Sequence, residues 1–428
     1  MMDGGALIAT LVASCIVWWS NYATANAYQI ESRFVGSKAL SSTSYMNIVD
    51  RPLAPPFPNG PCGGKVITIP QNDLYRIPAD DNSAFFNNFN TVFPNPFASV
   101  QDVILPPRDV KVWVPKEYHT LQYSQESFPV LYCHDGQNGK CQCCACQEMW
   151  CEVDMYFLLT NPNFDYIAFD DSSSWTGSSF RLVGALTRLH ERNMLRTETP
   201  PIVVCIPCAE GTSFGMNRRH MEYGDYNHPV SQAHGQFVAT TLHPYIRSRF
   251  RIKDNPEHIS TIGSSLGGQA SLQLVLRYPD IFGGAACLSP CFQPATIAAV
   301  TANLVAANND IAATIGEVLN VFPKGTTTDL RSKNIYMDNG GDVDDKKVPL
   351  FDMHDHLMMN ERFWNPGYWW LDSQLQPMID SMRFIFDKAG VQYTYEKFPG
   401  GRHNERAWAN RIHRPLLALY GKRSSDFD

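Results

Sequence analysis

Charge is scarce in this 428-residue chain, with Asp, Glu, Lys and Arg making up only 18% of it, against about a quarter in an average soluble domain. The 35 Lys and Arg form no basic run and are outnumbered by 42 Asp and Glu, for a net charge of −7. That excludes a surface built to track nucleic-acid phosphates. Long apolar runs are missing too: the candidate stretch, Ala6 to Trp19, is shorter than the ~20 residues of a spanning helix. No Asn-x-Ser/Thr sequon occurs, so N-glycosylation says nothing about compartment. Repeats and low-complexity tracts are also lacking. What remains is a folded chain, 44% hydrophobic, long enough for a sizeable core.

The stretch from Ala6 to Trp19, followed by Ala25-Asn26-Ala27, reads as a signal peptide over residues 1–27 cleaved before Tyr28. Its n-region carries Asp3 and no Lys or Arg, which keeps an uncleaved membrane anchor or a cytosolic start as alternatives. A secreted protein is the expectation. The chain has 12 cysteines, and loss of Cys15 with the leader would leave an odd number, so at least one stays unpaired. Five cluster as Cys141, Cys143, Cys144, Cys146 and Cys151. The C-x-C-C-x-C pattern does not present the two separated ligand pairs of a structural zinc site. Local disulfides or inert thiols are expected there, and no metal.

Residues 28–107, rich in Pro, Asn and Phe, predict an irregular or β-containing lead-in. Beyond it lie short apolar runs: Val110 to Val114, Val130 to Cys133, Ile202 to Ile206, Ile259 to Ile262, Phe282 to Leu288 and Ile335 to Met337. Several are continuous rather than alternating, as in strands covered on both faces. Helical patterns lie between them, over Ser265 to Arg277, stopping at Tyr278-Pro279, and over Leu371 to Phe386, with Gly390 just beyond. Strands alternating with helices predict an α/β fold with a mostly parallel central sheet and helices on both faces. Chemistry in such a sheet collects at the C-terminal ends of the strands.

One segment carries a chemical signature. Gly263-Ser264-Ser265-Leu266-Gly267 fits G-x-S-x-G, a sharp strand-to-helix turn that exposes a serine hydroxyl. The turn places the Leu266 amide at a helix N-terminus, where it can donate to an oxyanion. The bland alternative is a serine that merely caps the helix. A serine needs a base, and His403 sits in Pro399-Gly-Gly-Arg-His403-Asn-Glu-Arg, after the strand-like Gln392 to Phe398. An orienting acid is expected after Asn334-Ile-Tyr-Met-Asp338-Asn-Gly-Gly-Asp342-Val-Asp344-Asp345. The order Ser, Asp, His is that of the α/β hydrolases. Asp338 lies in or beside the strand and is expected to pack or pair there. The acidic run lacks the spacing of a calcium loop. Gly136, in Val130-Leu-Tyr-Cys-His134-Asp135-Gly136-Gln-Asn138, is the candidate for a second oxyanion donor. The side chains of His134 and Asp135 are expected to pair with each other and shape that loop.

The HDGQN run, Asn217-Arg-Arg-His-Met-Glu-Tyr223, GSSLGG and GGRHNERAW together resemble the putative-esterase family of α/β hydrolases. The resemblance covers residues 108–420, leaving 421–428 as a polar tail. It implies the α/β-hydrolase fold and serine-dependent carboxylic-ester hydrolysis without a cofactor. By the same resemblance Ser265 is the nucleophile, His403 the base, and Leu266 with the HDG loop the oxyanion hole. In family members the acid sits about three residues past the strand-end glycine. Counting from Gly341 gives Asp344, with Asp342 as second choice. The partner implied is a small-molecule or carbohydrate ester, and the alternatives are an acyltransferase or a catalytically silent binding protein on this fold. One departure stands out: residues 139–169, with the cysteine cluster, separate HDGQN from Asp170-Asp-Ser-Ser-Ser-Trp175. A Cys-rich insertion or a retained intron would both look like this.

Overall fold

The computed structural model describes residues 38–39, 61–76, 105–136, 181–209, 212–213, 216–306, 330–340, 366–399, 401, 403 and 405–422. The N-terminal apolar stretch, the cysteine cluster within 139–169, and Asp342, Asp344 and Asp345 lie outside the described residues.

Eight strands form one sheet: β1 (Lys65–Ile69), β2 (Val110–Val114), β3 (Val130–His134), β4 (Ile202–Ile206), β5 (Ile259–Ser264), β6 (Gly284–Leu288), β7 (Asn334–Asn339) and β8 (Tyr393–Lys397). Their spatial order is β8-β7-β6-β5-β3-β4-β2-β1. The strands from β3 to β8 run parallel, and β2 is antiparallel to both of its neighbours. This is an α/β-hydrolase-like sheet, and the lead-in supplies its edge strand β1. The continuous apolar runs are explained by burial on both faces. In β3, Val130 and Tyr132 enter one core cluster, and Leu131 and Cys133 enter the other.

The helices that matter here are α1 (Leu182–Glu191), α2 (Arg218–Glu222), α3 (Pro229–Gln236), α4 (His243–Arg249), α5 (Leu266–Arg277), α6 (Pro294–Ala306), α7 (Pro366–Ala389), α8 (Glu405–Arg411) and α9 (His413–Tyr420). A π-helical turn, Phe237–Leu242, joins α3 to α4. One face of the sheet packs on Leu272, Val275 and Leu276 of α5 and on Ile379, Met382 and Phe386 of α7. The other packs on Leu182, Val183 and Leu186 of α1 and on Leu416 and Leu419 of α9. The Tyr420 hydroxyl closes α9 onto the sheet by donating to the Val130 carbonyl at 2.8 Å. Among the described residues, no helix is long and apolar enough to cross a membrane, and Cys62, Cys133, Cys205, Cys208, Cys287 and Cys291 form no disulfide with one another.

Register decides where the site falls. Ser264, Leu288, Asp338 and Glu396 stand side by side across β5, β6, β7 and β8. The residues just past that rank therefore share one edge of the sheet, whatever their distance in sequence.

Candidate active site

The chain leaves β5 at Ser264 and enters α5 at Leu266, so Ser265 alone makes the turn. It does so at φ 56°, ψ −123°, a backbone conformation costing an L-residue on the order of 1–3 kcal/mol and held only where the surroundings over-determine it. Those surroundings are visible. The Ser265 N–H donates to the Leu288 carbonyl at 2.9 Å, and its own carbonyl accepts the Cys291 amide at 3.0 Å. Small neighbours are compulsory: a Cβ on Gly263 would run into the Gly267 carbonyl oxygen, and one on Gly267 would lie 2.7 Å from Asp135 Oδ2. The Ser265 hydroxyl does not cap α5, which removes the bland reading. The Leu266 amide lies in the first turn, where no intrahelical acceptor exists, and it faces the helix's positive end.

The HDG loop is held differently from the sequence expectation. His134 and Asp135 do not pair with each other: His134 Nδ1 meets Ser271 Oγ at 3.1 Å, and Asp135 takes a two-pronged bridge from Arg219, at 2.6 Å from Nε and 2.7 Å from Nη2. The guanidinium outcompetes a buried imidazole because its charge and fork geometry match a carboxylate. Asp135 itself has φ 59°, and its N–H donates to the Tyr223 hydroxyl at 3.2 Å. Burial holds the His134 imidazole down to about 4, so it is neutral. The expectation for Gly136 needs correction. Its amide points inward and donates to the Ile206 carbonyl at 3.0 Å, and a Cβ there would collide with Cys205. Gly136 is a glycine because β4 passes so close, and its N–H is already committed.

His403 lies on the loop between β8 and α8. Its ring meets Trp408 edge to face, with centroids 5.0 Å apart. The Trp408 indole N–H donates to Ser289 Oγ at 3.3 Å, and Ser289 follows Leu288, the residue bonded to the Ser265 amide. Ser265 is thus tied to Leu288 directly, and His403 reaches the neighbouring Ser289 through Trp408. No hydrogen bond joins them, and neither imidazole nitrogen has a partner among the described residues. Catalytic hydrogen bonds often close only when substrate binds. Burial pushes the His403 imidazole down to about 3, and the charges of Arg219 and Arg411 act in the same direction.

Asp338 is paired beside the sheet, as expected, and its acceptor capacity is full. Oδ1 accepts the Ser289 amide at 2.9 Å and Arg411 Nη2 at 3.0 Å, while Oδ2 accepts Arg411 Nε at 3.0 Å and the Tyr336 hydroxyl at 3.2 Å. A carboxylate has about four lone-pair sites, so none is left for an imidazole. Asp344 and Asp342, being outside the described residues, have no geometry to add. Among the described residues no cluster of His, Cys, Asp and Glu could hold a metal ion. Reading the sequence took Arg219 and Tyr223 only as part of a motif, with no role, and did not single out Ser289 and Arg411, because each acts through a residue far away in the chain.

Residues 106–419 match the sequence model of a family described as "Putative esterase". No curated protein matches the chain by sequence. Among solved structures, a ferulic acid esterase is similar at 15% identity and a TM-score of 0.43, with 84% of this chain and 99% of that one covered. The siderophore hydrolase EstB from Aspergillus nidulans is similar at 14% identity and a TM-score of 0.42, with 87% and 98% covered. The enterobactin esterase FES from Shigella flexneri, solved with enterobactin present, gives 15% identity, a TM-score of 0.42 and coverage of 73% of this chain. This chain spans only 55% of the length of that last relative.

Proposed function

The chain belongs to the "Putative esterase" family, and from that premise we propose that it is a serine-dependent carboxylic-ester hydrolase working through an acyl-enzyme on Ser265. The observation that carries the reading is the strained turn at Ser265, φ 56°, which presents a hydroxyl at the end of β5 with a helix N-terminus behind it. In this reading Ser265 Oγ attacks the ester carbonyl while His403 accepts its proton. The carbonyl oxygen becomes an oxyanion, and the Leu266 N–H donates to it. His403 then returns the proton to the departing alcohol, leaving an acyl-serine. Water attacks the acyl carbonyl with His403 again as base, and the acid product leaves Ser265 with its proton restored. The imidazole is neutral in the resting site, as a general base must be at the start. Asp344, with Asp342 as the second candidate, is assigned the role of orienting the imidazole. The substrate is taken to be a small-molecule or carbohydrate ester.

The test is a fluorophosphonate probe together with a panel of p-nitrophenyl, acetyl-xylan, feruloyl and thioester substrates. Wild type should be labelled and should turn over at least one ester class, and Ser265→Ala should do neither while keeping its melting temperature. Labelling that persists in Ser265→Ala would move the nucleophile to another serine.

A further inference from the structure

His403 is held by a loop, and loops are poor at holding a base to within a fraction of an ångström. What lies under that loop is a buried polar hub built from three elements. Arg411, at the end of α8, is its centre and is 4% exposed. Its Nε and Nη2 grip both oxygens of Asp338 on β7. Nη2 also donates to Ser289 Oγ at 2.8 Å, on the exit from β6. Its guanidinium lies 5.0 Å from the centre of the Phe398 ring, and a Cβ on Gly401 would lie 2.9 Å from Nη1. Phe398 and Gly401 are the two sides of the strand-to-His403 turn, which is tied again by the Gly401 amide donating to the Phe398 carbonyl at 2.9 Å. Trp408, one turn before Arg411 on α8, meets the imidazole edge on and donates to the same Ser289 hydroxyl. Ser289 stays at φ 41°, a conformation that a non-glycine residue keeps only when its contacts insist.

We propose that Arg411 is a positioning residue for the base: through Asp338 and Ser289 it locks the His403 loop to the strand exits beside Ser265. The proposal rests on the reading of His403 as general base. It also gives the buried ion pair a purpose. Such a pair contributes little net stability once its desolvation is counted, although loss of one partner alone is strongly destabilising. The planar fork matters as much as the charge, because only a guanidinium reaches Asp338 with two donors while sharing one of them with Ser289.

The test separates positioning from folding. Asp338→Asn with Arg411→Met removes both charges together and should leave a folded protein. Ser289→Ala, the second variant, keeps the ion pair and removes only the oxygen shared by Arg411 and Trp408. In both, kcat and kcat/KM for a p-nitrophenyl ester should fall together with KM nearly unchanged, because the lost contact matters in the transition state. The fall should approach about 10²-fold for the double variant, the size of effect expected from a misplacement of about 1 Å. Arg411→Lys should fail to restore the rate. A folded double variant, or a folded Ser289→Ala, with wild-type kcat would overturn the proposal. Ser265→Ala is run alongside: if it keeps full activity, Ser265 is not the nucleophile and the reading of this site, with His403 as its base, fails, and that outcome is distinct from the other.

Discussion

Two aspartates near one strand end show how differently a carboxylate can be used. Asp338 is buried with every lone pair engaged, so it is part of the scaffold. Asp344, three residues past Gly341, remains the first candidate for the acid that fixes the imidazole tautomer. An Asp→Asn change at such a position costs about 10⁴ in kcat in a related triad. Asp344→Asn should therefore lose activity on that order with an unchanged melting temperature, and Asp342→Asn should lose little. An inactive Asp342→Asn beside a near-normal Asp344→Asn would transfer the role. The pattern for Asp338→Asn is the reverse, because it strands the Arg411 charge in the interior at a cost on the order of 3 kcal/mol. Its melting temperature should drop first. Ser265 was legible because everything that forces its turn is local, two glycines and a strand-to-helix change within five residues. The Arg219–Asp135 and Arg411–Asp338 bridges span 84 and 73 residues, and no local pattern announces them.

Elements were read from the sequence where burial and hydrogen bonding agree. Val110–Val114 and Ile202–Ile206 keep their bounds because each run is entirely within the ladder. The run beginning at Phe282 overshoots: Phe282 is buried, but its amide bonds to Tyr278 at the end of a helix, and the strand starts at Gly284. Helix α7 stops where Gly390, at φ 69°, stands, as expected, and extends the predicted segment at both ends. The stretch from α3 to α4 was not read as helix, since its π turn and the Pro at the start of α4 break the 3.6-residue period. The contact between β5 and α5 gives a test at this scale. Gly263→Ala sets a methyl against the backbone oxygen of Gly267, which cannot swing aside. Overpacking of this kind costs about 1–3 kcal/mol, and the turn should open. A lower melting temperature together with loss of fluorophosphonate labelling is expected; normal labelling would mean that the two elements can part without disturbing Ser265.

The whole molecule carries an acid liability in its histidines. Burial depresses His134 to about 4 and His403 to about 3, and it holds His234 and His243 below the ordinary imidazole value as well. In the unfolded chain each titrates near 6.5, so below that pH the unfolded state binds more protons and gains on the folded one. Their contribution is complete above pH ~6.5 and is lost progressively as pH falls towards the folded-state values. Calorimetry should show a melting temperature that declines steadily from pH 7 to pH 4. A flat profile would mean that water already reaches these rings. The same fold also fixes the order of events in its own assembly. Tyr420 bonds to Val130 across 290 residues, and β5, which delivers Ser265, is flanked by β3 and β6. Contacts this distant in sequence close slowly, because loop entropy is lost before they return anything. The strand that leads into Ser265 can pair long before β8 and α9 dock, so a chain growing from the ribosome can hold the Ser265 turn before the His403 loop is made. The two halves of the proposed site therefore meet late, once the C-terminal helices dock.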